Sequence, residues 1–108
     1  MTTITFTTSA DNYKTIECKG HAGFDDYGND IVCSAISMLT INLVNSLEKL
    51  TKDKTEVLED EKKGIIKITF ENEPSHDATL LVESFRLGVD TIFQEYGKKF
   101  LNIKFRRE

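Results

Sequence analysis

Two cysteines in 108 residues, Cys18 and Cys33, are too few for a disulfide scaffold. A reducing cytosol would keep both as thiols. Positive charge is also in short supply: the formal net charge is -4 and the pI lies near 5.2. That balance argues against a nucleic-acid surface. Basic residues do gather toward the end, at Lys98, Lys99, Lys104, Arg106 and Arg107, interleaved with Phe100, Leu101, Ile103 and Phe105. They read as the wet side of a final strand, and a partner that is itself basic suits the chain better. Met1 leads into Thr-rich sequence with no basic region and no leader-like apolar run. No stretch is expected to span a bilayer, so the expected compartment is the cytoplasm, with no membrane partner. Repeats, low-complexity segments and linkers are missing too, which leaves one domain over residues 1–108.

What is present is an ordinary globular composition, 39% hydrophobic and 30% charged. Residues 3–8 (TITFTT) alternate, with Ile4 and Phe6 on one face, and 13–19 (YKTIECK) alternate with Ile16 and Cys18 inward. "SADN" between them reads as a hairpin turn. From Ile31 to Leu50 the period is helical: Val32, Ile36, Leu39, Leu43, Leu47 and Leu50 form one stripe, with Asp30 placed to cap it. Met38 and Ile41 fall off that stripe. Residues 54–60 and 64–70 read as a strand pair joined by the charged "EDEKKG" turn. After "NEPSHD", where His76 is expected to be exposed, a second helix runs to about Tyr96. It carries Ala78, Leu81, Val82, Phe85, Val89, Ile92, Phe93 and Tyr96 on one face, with Gly97 as its stop. "FLNIKF" is a last strand with Leu101, Ile103 and Phe105 on one side. The order ββαββαβ implies an α+β two-layer sandwich, two helices on one face of a mainly antiparallel sheet.

The stretch "GHAGFDDYGNDIVCSAIS", residues 20–37, is hard to explain by folding alone. With Asp30 as N-cap, Cys33 would be the third helical residue, where backbone N–H groups lack helical partners and the dipole favours a thiolate. A helix terminus supplies only roughly 0.3–1 kcal/mol, too little to ionise a thiol at neutral pH, so a second cation is needed. His21 is the obvious supplier, because a Cys–His pair is the usual activated-nucleophile arrangement. A strand's end and the next helix's start share one edge of such a sandwich, so His21 and Cys33 can meet. Gly20, Gly23 and Gly28 make the intervening loop permissive, and Phe24 and Tyr27 give it apolar grip. Such a loop suits folding over an extended peptide.

The same residues have plainer readings. Cys33 at the start of an apolar helix can be a small buried hydrophobe. His21 can be a surface residue, Asp30 only a cap, and Ser37 a side chain that back-bonds to its helix. Cys18 reads as core. A zinc site could be assembled from Cys18, His21, Asp30 and Cys33, but its C-x-x-H part has no paired second half. No metal and no cofactor are therefore expected.

"GHAG", a short glycine-bearing loop and "DIVCSAIS" resemble the signature of the ribosomal-processing cysteine proteases, the Prp family. The element order, the acidic loop and the chain length are similar as well, so the resemblance covers essentially the whole chain. Ser34 stands where many members have Ala. The resemblance implies a cysteine endopeptidase that removes the N-terminal extension of a large-subunit ribosomal protein precursor, or cuts related phage proteins. It implies Cys33 as nucleophile and His21 as general base, with Gly20, Asp30 and Ser37 in support. It also implies a homodimer, which would give Met38 and Ile41 a reason. The substrate is positive just past the cut, a role for Asp25 and Asp26 beside Gly23, Phe24, Tyr27 and Gly28. Asp30 could orient His21 or cap the helix. The rival expectation is an inert dimeric module that holds a peptide or ribosomal precursor without cutting it.

Overall fold

The computed structural model describes residues 1–20 and 27–108, and for 27–30 the backbone only. The elements are β1 (Thr2–Ser9), β2 (Asn12–Lys19), α1 (Tyr27–Leu50), β3 (Thr55–Asp60), β4 (Ile65–Phe70), α2 (His76–Tyr96) and β5 (Leu101–Arg107). One five-stranded sheet runs in the order β3-β4-β2-β1-β5, antiparallel throughout except for the parallel pair β1 and β5. This is the expected α+β architecture in the expected element order.

Alternation in each strand sends one set of side chains to the helices. The register lines them up in rows: Ile4 opposes Cys18 and Ile103, and Phe6 opposes Ile16 and Phe105. On the other side of β2, Cys18 opposes Ile66 and Ile16 opposes Ile68. β1 and β2 are joined through Ala10 and Asp11, whose φ values of 50° and 65° are those of a type I′ turn. An irregularity between Thr7 and Thr8 lets Tyr13 as well as Ile16 face inward. The Tyr13 hydroxyl donates to Glu83 of α2, and burial together with that carboxylate pushes the phenol up from its usual range.

α1 buries Val32, Ile36, Leu43 and Leu47, and α2 buries Ala78, Val82, Phe85 and Val89, against the inward face of the sheet. Each such side chain larger than Ala78 contributes about 1.5–3 kcal/mol of apolar burial. Three residues expected in the core lie at its margin. Leu50, the last residue of α1, is 69% exposed, Tyr96 ends α2 at 38%, and Phe105 is 55% exposed near the end of edge strand β5. The Phe105 ring still stacks on Phe6 at 5.4 Å and carries the Arg86 guanidinium 4.4 Å from its centre. Ile31–Leu50, at 20 residues and mean hydropathy 1.4, is long and apolar enough by length and composition to cross a membrane. This corrects the expectation that no stretch would be. One face of that helix nevertheless packs into the protein core.

The helix ends show which sequence signals operate. Ser75 caps α2 by accepting from the Ala78 N–H at 3.1 Å, and Gly97 closes it at φ 74° with its N–H on the Phe93 carbonyl. Asp53, in the α1–β3 connection, accepts from the Ser75 N–H at 2.8 Å. Burial alone would raise the Asp53 carboxyl, but the hydroxyl and N–H of Ser75 outweigh it and hold the group below its ordinary value. α1 departs from expectation. It begins at Tyr27, not after Asp30, so Asp30 is its fourth residue and not its N-cap. An acidic residue that near a helix start still suits the dipole, which is why the composition of "YGND" fits a first turn as well as a cap.

Candidate active site

The far end of β2, the start of β1, the middle of α1 and the β3–β4 turn meet around a cleft of about 270 Å³. Three of the residues that the resemblance assigns to the site, Gly20, Cys33 and Ser37, line it. Cys33, Ser37 and Thr40 stand at four- and three-residue steps on one face of α1, with Ile36 beside them. Cys18, Ile65 and Ile66 contribute apolar surface, and Glu59, Asp60 and Glu61 an acidic wall. No lysine or arginine lines the cleft among the described residues.

The start of α1 changes the setting of Cys33. As the seventh helical residue it sits nearly two turns in, so its N–H falls within the intrahelical ladder instead of among the first four orphan groups. The expected contact with unpaired first-turn amides is thereby corrected. Across the helix–sheet gap, Cys33 Sγ lies 3.2 Å from Thr2 Oγ1. Cys33 is half-buried, whereas Cys18 is buried. Cys18 Sγ lies 3.2 Å from Thr40 Oγ1, and burial pushes the Cys18 thiol up to about 11. Thr40 also makes the back-bond to its helix that was expected of Ser37, donating to the Ile36 carbonyl at 2.7 Å.

Gly20 is held by the opposite hairpin. Its N–H donates to the Gly64 carbonyl at 2.9 Å. Gly64 has φ +64°, and a Cβ there would stand 1.9 Å from the Gly20 carbonyl oxygen. Only glycine fits. Asp60 steadies the same turn by accepting from the Lys63 N–H.

His21, Gly23, Phe24, Asp25 and Asp26 lie outside the described residues. Of Tyr27, Gly28 and Asp30 only the backbone placement, in the first turn of α1, is described. His76, as expected, is exposed, at 89%. Among the described residues no group of three or more His, Cys, Asp or Glu could hold a metal.

Sequence reasoning passed over Thr2, Thr40, Gly64 and the acidic wall. Thr2 had a signal: the two-residue period through Ile4 and Phe6, carried one step back, reaches it. Gly64 had another, as the glycine closing a turn directly before a strand. The acidic wall was read only as a charged turn.

Comparison with known proteins places the chain in a defined group. The family model described as "Cysteine protease Prp" matches residues 1–101. The chain is 30% identical over 86 residues to the ribosomal processing cysteine protease Prp of Staphylococcus aureus, covering 79% of this chain and 81% of that one. Its fold superimposes on the crystal structure of SMU.848 from Streptococcus mutans with a TM-score of 0.88 at 33% identity, over 100% of this chain and 96% of that one. It also superimposes on the S. aureus ribosomal processing protease Prp in complex with a substrate peptide, with a TM-score of 0.86 at 25% identity over the whole of both chains.

Proposed function

Because the chain belongs to the cysteine protease Prp family, we propose that it removes the N-terminal extension of a large-subunit ribosomal protein precursor, or cuts related phage proteins, with Cys33 as nucleophile and His21 as general base. The observation that carries this reading is the placement of Cys33, half-buried on the wall of the cleft. His21 takes the Cys33 thiol proton as Sγ attacks the scissile carbonyl carbon, and the tetrahedral intermediate collapses to a thioester as His21 passes that proton to the leaving amine. Water then adds to the thioester with His21 taking its proton, which releases the new carboxylate and the thiol. Asp30, no longer a cap, is left the role of orienting His21. The Cys33 N–H lies in the helix ladder, so the oxyanion draws on amides of the neighbouring loop. Gly20 and Ser37 line the cleft together with Cys33.

The charge of the cleft supports a positively charged, extended peptide. Glu59, Asp60 and Glu61 line it, adding to the guiding role given to Asp25 and Asp26. Met38 and Ile41, 66% and 46% exposed on α1, are the surface a second copy would cover in a homodimer. Sedimentation of Met38→Asp, expected to be monomeric, tests that assignment. The substrate places the reaction in the cytoplasm, where the nucleophile stays reduced.

The deciding experiment incubates the protein with an extended ribosomal precursor and reads cleavage by mass spectrometry. Cys33→Ala should bind the precursor and leave it uncut. A fully active Cys33→Ala would overturn the reading, and a wild-type protein that binds without cutting would favour an inert binding module.

A further inference from the structure

Thr2 is the first residue of β1, and it is 97% removed from solvent, with a relative exposure of 3%. A threonine hydroxyl buried at that depth needs a partner. Its partner is the Cys33 sulfur, 3.2 Å away on another element and 31 residues on. The backbone that carries the hydroxyl is fixed along β5: Thr2 pairs with Leu101, and its N–H donates to the Phe100 carbonyl at 3.0 Å. Space around it is also shaped. A Cβ on Gly20 would come within 2.9 Å of Thr2 Oγ1 and 3.5 Å of both Thr2 Cβ and Cγ2. Glycine at position 20 therefore leaves the hydroxyl room to point at the sulfur, a reason for that residue independent of its neighbour His21.

We infer that Thr2 is a positioning residue for the nucleophile, its hydroxyl aiming the Cys33 sulfur into the cleft and donating to it as the thiolate forms. The inference rests on the reading of Cys33 as nucleophile. A neutral thiol and a hydroxyl can share a hydrogen bond in either direction, but an ionised sulfur only accepts. Once the thiolate forms, the hydroxyl must donate, and a charge-assisted bond is stronger than the neutral one it replaces. The arrangement thus favours the reactive form more than the resting form. β-Branching adds to this, because threonine at a buried strand position has few χ1 choices. A rigid donor on a strand holds a nucleophile better than one on a loop.

The test compares Thr2→Val, which keeps the shape and loses the hydroxyl, with Thr2→Ser, which keeps the hydroxyl. Three quantities are read: the pH profile of Cys33 alkylation by iodoacetamide, and kcat and KM on a precursor peptide. The other titratable groups lining the cleft, Cys18, Glu59, Asp60 and Glu61, and His21 are the same in every variant. Thr2→Val should alkylate about tenfold more slowly at neutral pH, with its profile moved to higher pH and kcat reduced to match. KM should not change, and Thr2→Ser should recover most of the loss. Continued protection of Cys18 in the same samples reports that the fold is intact. Should Thr2→Val unfold, Thr2→Ala carries the same expectation. A valine variant with a wild-type profile and kcat overturns the inference, as does a serine variant impaired as badly as valine. If Cys33→Ala cleaves, the nucleophile reading itself has failed. If Cys33→Ala is inactive and Thr2→Val is normal, only the role of Thr2 has failed.

Discussion

The hydrogen bond between Cys18 and Thr40 runs in one direction. The Thr40 hydroxyl has one proton, which it gives to the Ile36 carbonyl at 2.7 Å, so at 3.2 Å from the sulfur it can only accept. Cys18 is therefore the donor, and a donor thiol is a protonated one. Burial, which pushes the thiol up to about 11, independently keeps it protonated.

The two cysteines should consequently differ in reactivity. A thiol pushed up to about 11 is ionised in only about one molecule in ten thousand at pH 7, and Cys18 is buried besides. In the folded protein iodoacetamide should label Cys33 and leave Cys18 largely untouched, as read by peptide mass spectrometry. Equal and slow labelling of both would remove Cys33 from the role of nucleophile.

Thr40→Val deletes the acceptor that Cys18 uses. The expected cost is about 1 kcal/mol of unfolding free energy, measured by urea denaturation. In a Cys18→Ala background the same change should cost less, because no donor is then stranded. Additive losses in the double variant would mean the pair contributes nothing as a pair.

Gly64 and Gly97 share a positive φ, of +64° and +74°, but not a neighbourhood. At Gly97 an added Cβ meets nothing within 4 Å, but its ψ of -170° belongs to a region that glycine alone favours, so Gly97→Ala should cost about 1–3 kcal/mol of backbone strain and leave cleavage unchanged. Gly64→Ala adds a collision with the Gly20 carbonyl. It should lose about 2 kcal/mol or more and slow precursor cleavage, because the turn must pull away from the cleft. Equal effects on cleavage at the two positions would show that the Gly20 contact is unimportant.

Asp53 supplies the pH dependence. Its folded pKa lies below its ordinary value, so its contribution is present above the unfolded carboxylate range and is lost as the pH falls through the lower, folded pKa. Asp53→Ala should be about 0.5–1.5 kcal/mol less stable than wild type at pH 7. The gap should narrow as the solution is acidified past that range. A gap that stays constant to pH 2 would assign the effect to packing.

Much of this was readable beforehand because the period-2 and period-3.6 patterns belong to residues with one role. Ile4, Phe6, Ile16 and Cys18 alternate only because the sheet has one wet face. The misreadings fell where one residue type serves two purposes. Asp30 is as good in a first turn as at a cap, and Leu50 continues a stripe whose partner surface has already ended. The cleft was legible only on its α1 and Gly20 sides. Thr2 and Gly64 reach it through long-range pairing of strands, and no local pattern encodes which strand ends will meet.

Thr2 and Leu101, neighbours in the sheet, are 99 positions apart in the chain. β1 stays an open edge until β5 docks along it, and closing so long a loop is slow relative to forming the β1–β2 hairpin. The Phe100 carbonyl that anchors the Thr2 N–H arrives in the same event. The wall behind the cysteine is therefore completed by the pairing that closes the longest loop, and competence to cut is expected to follow the end of folding and not its early collapse.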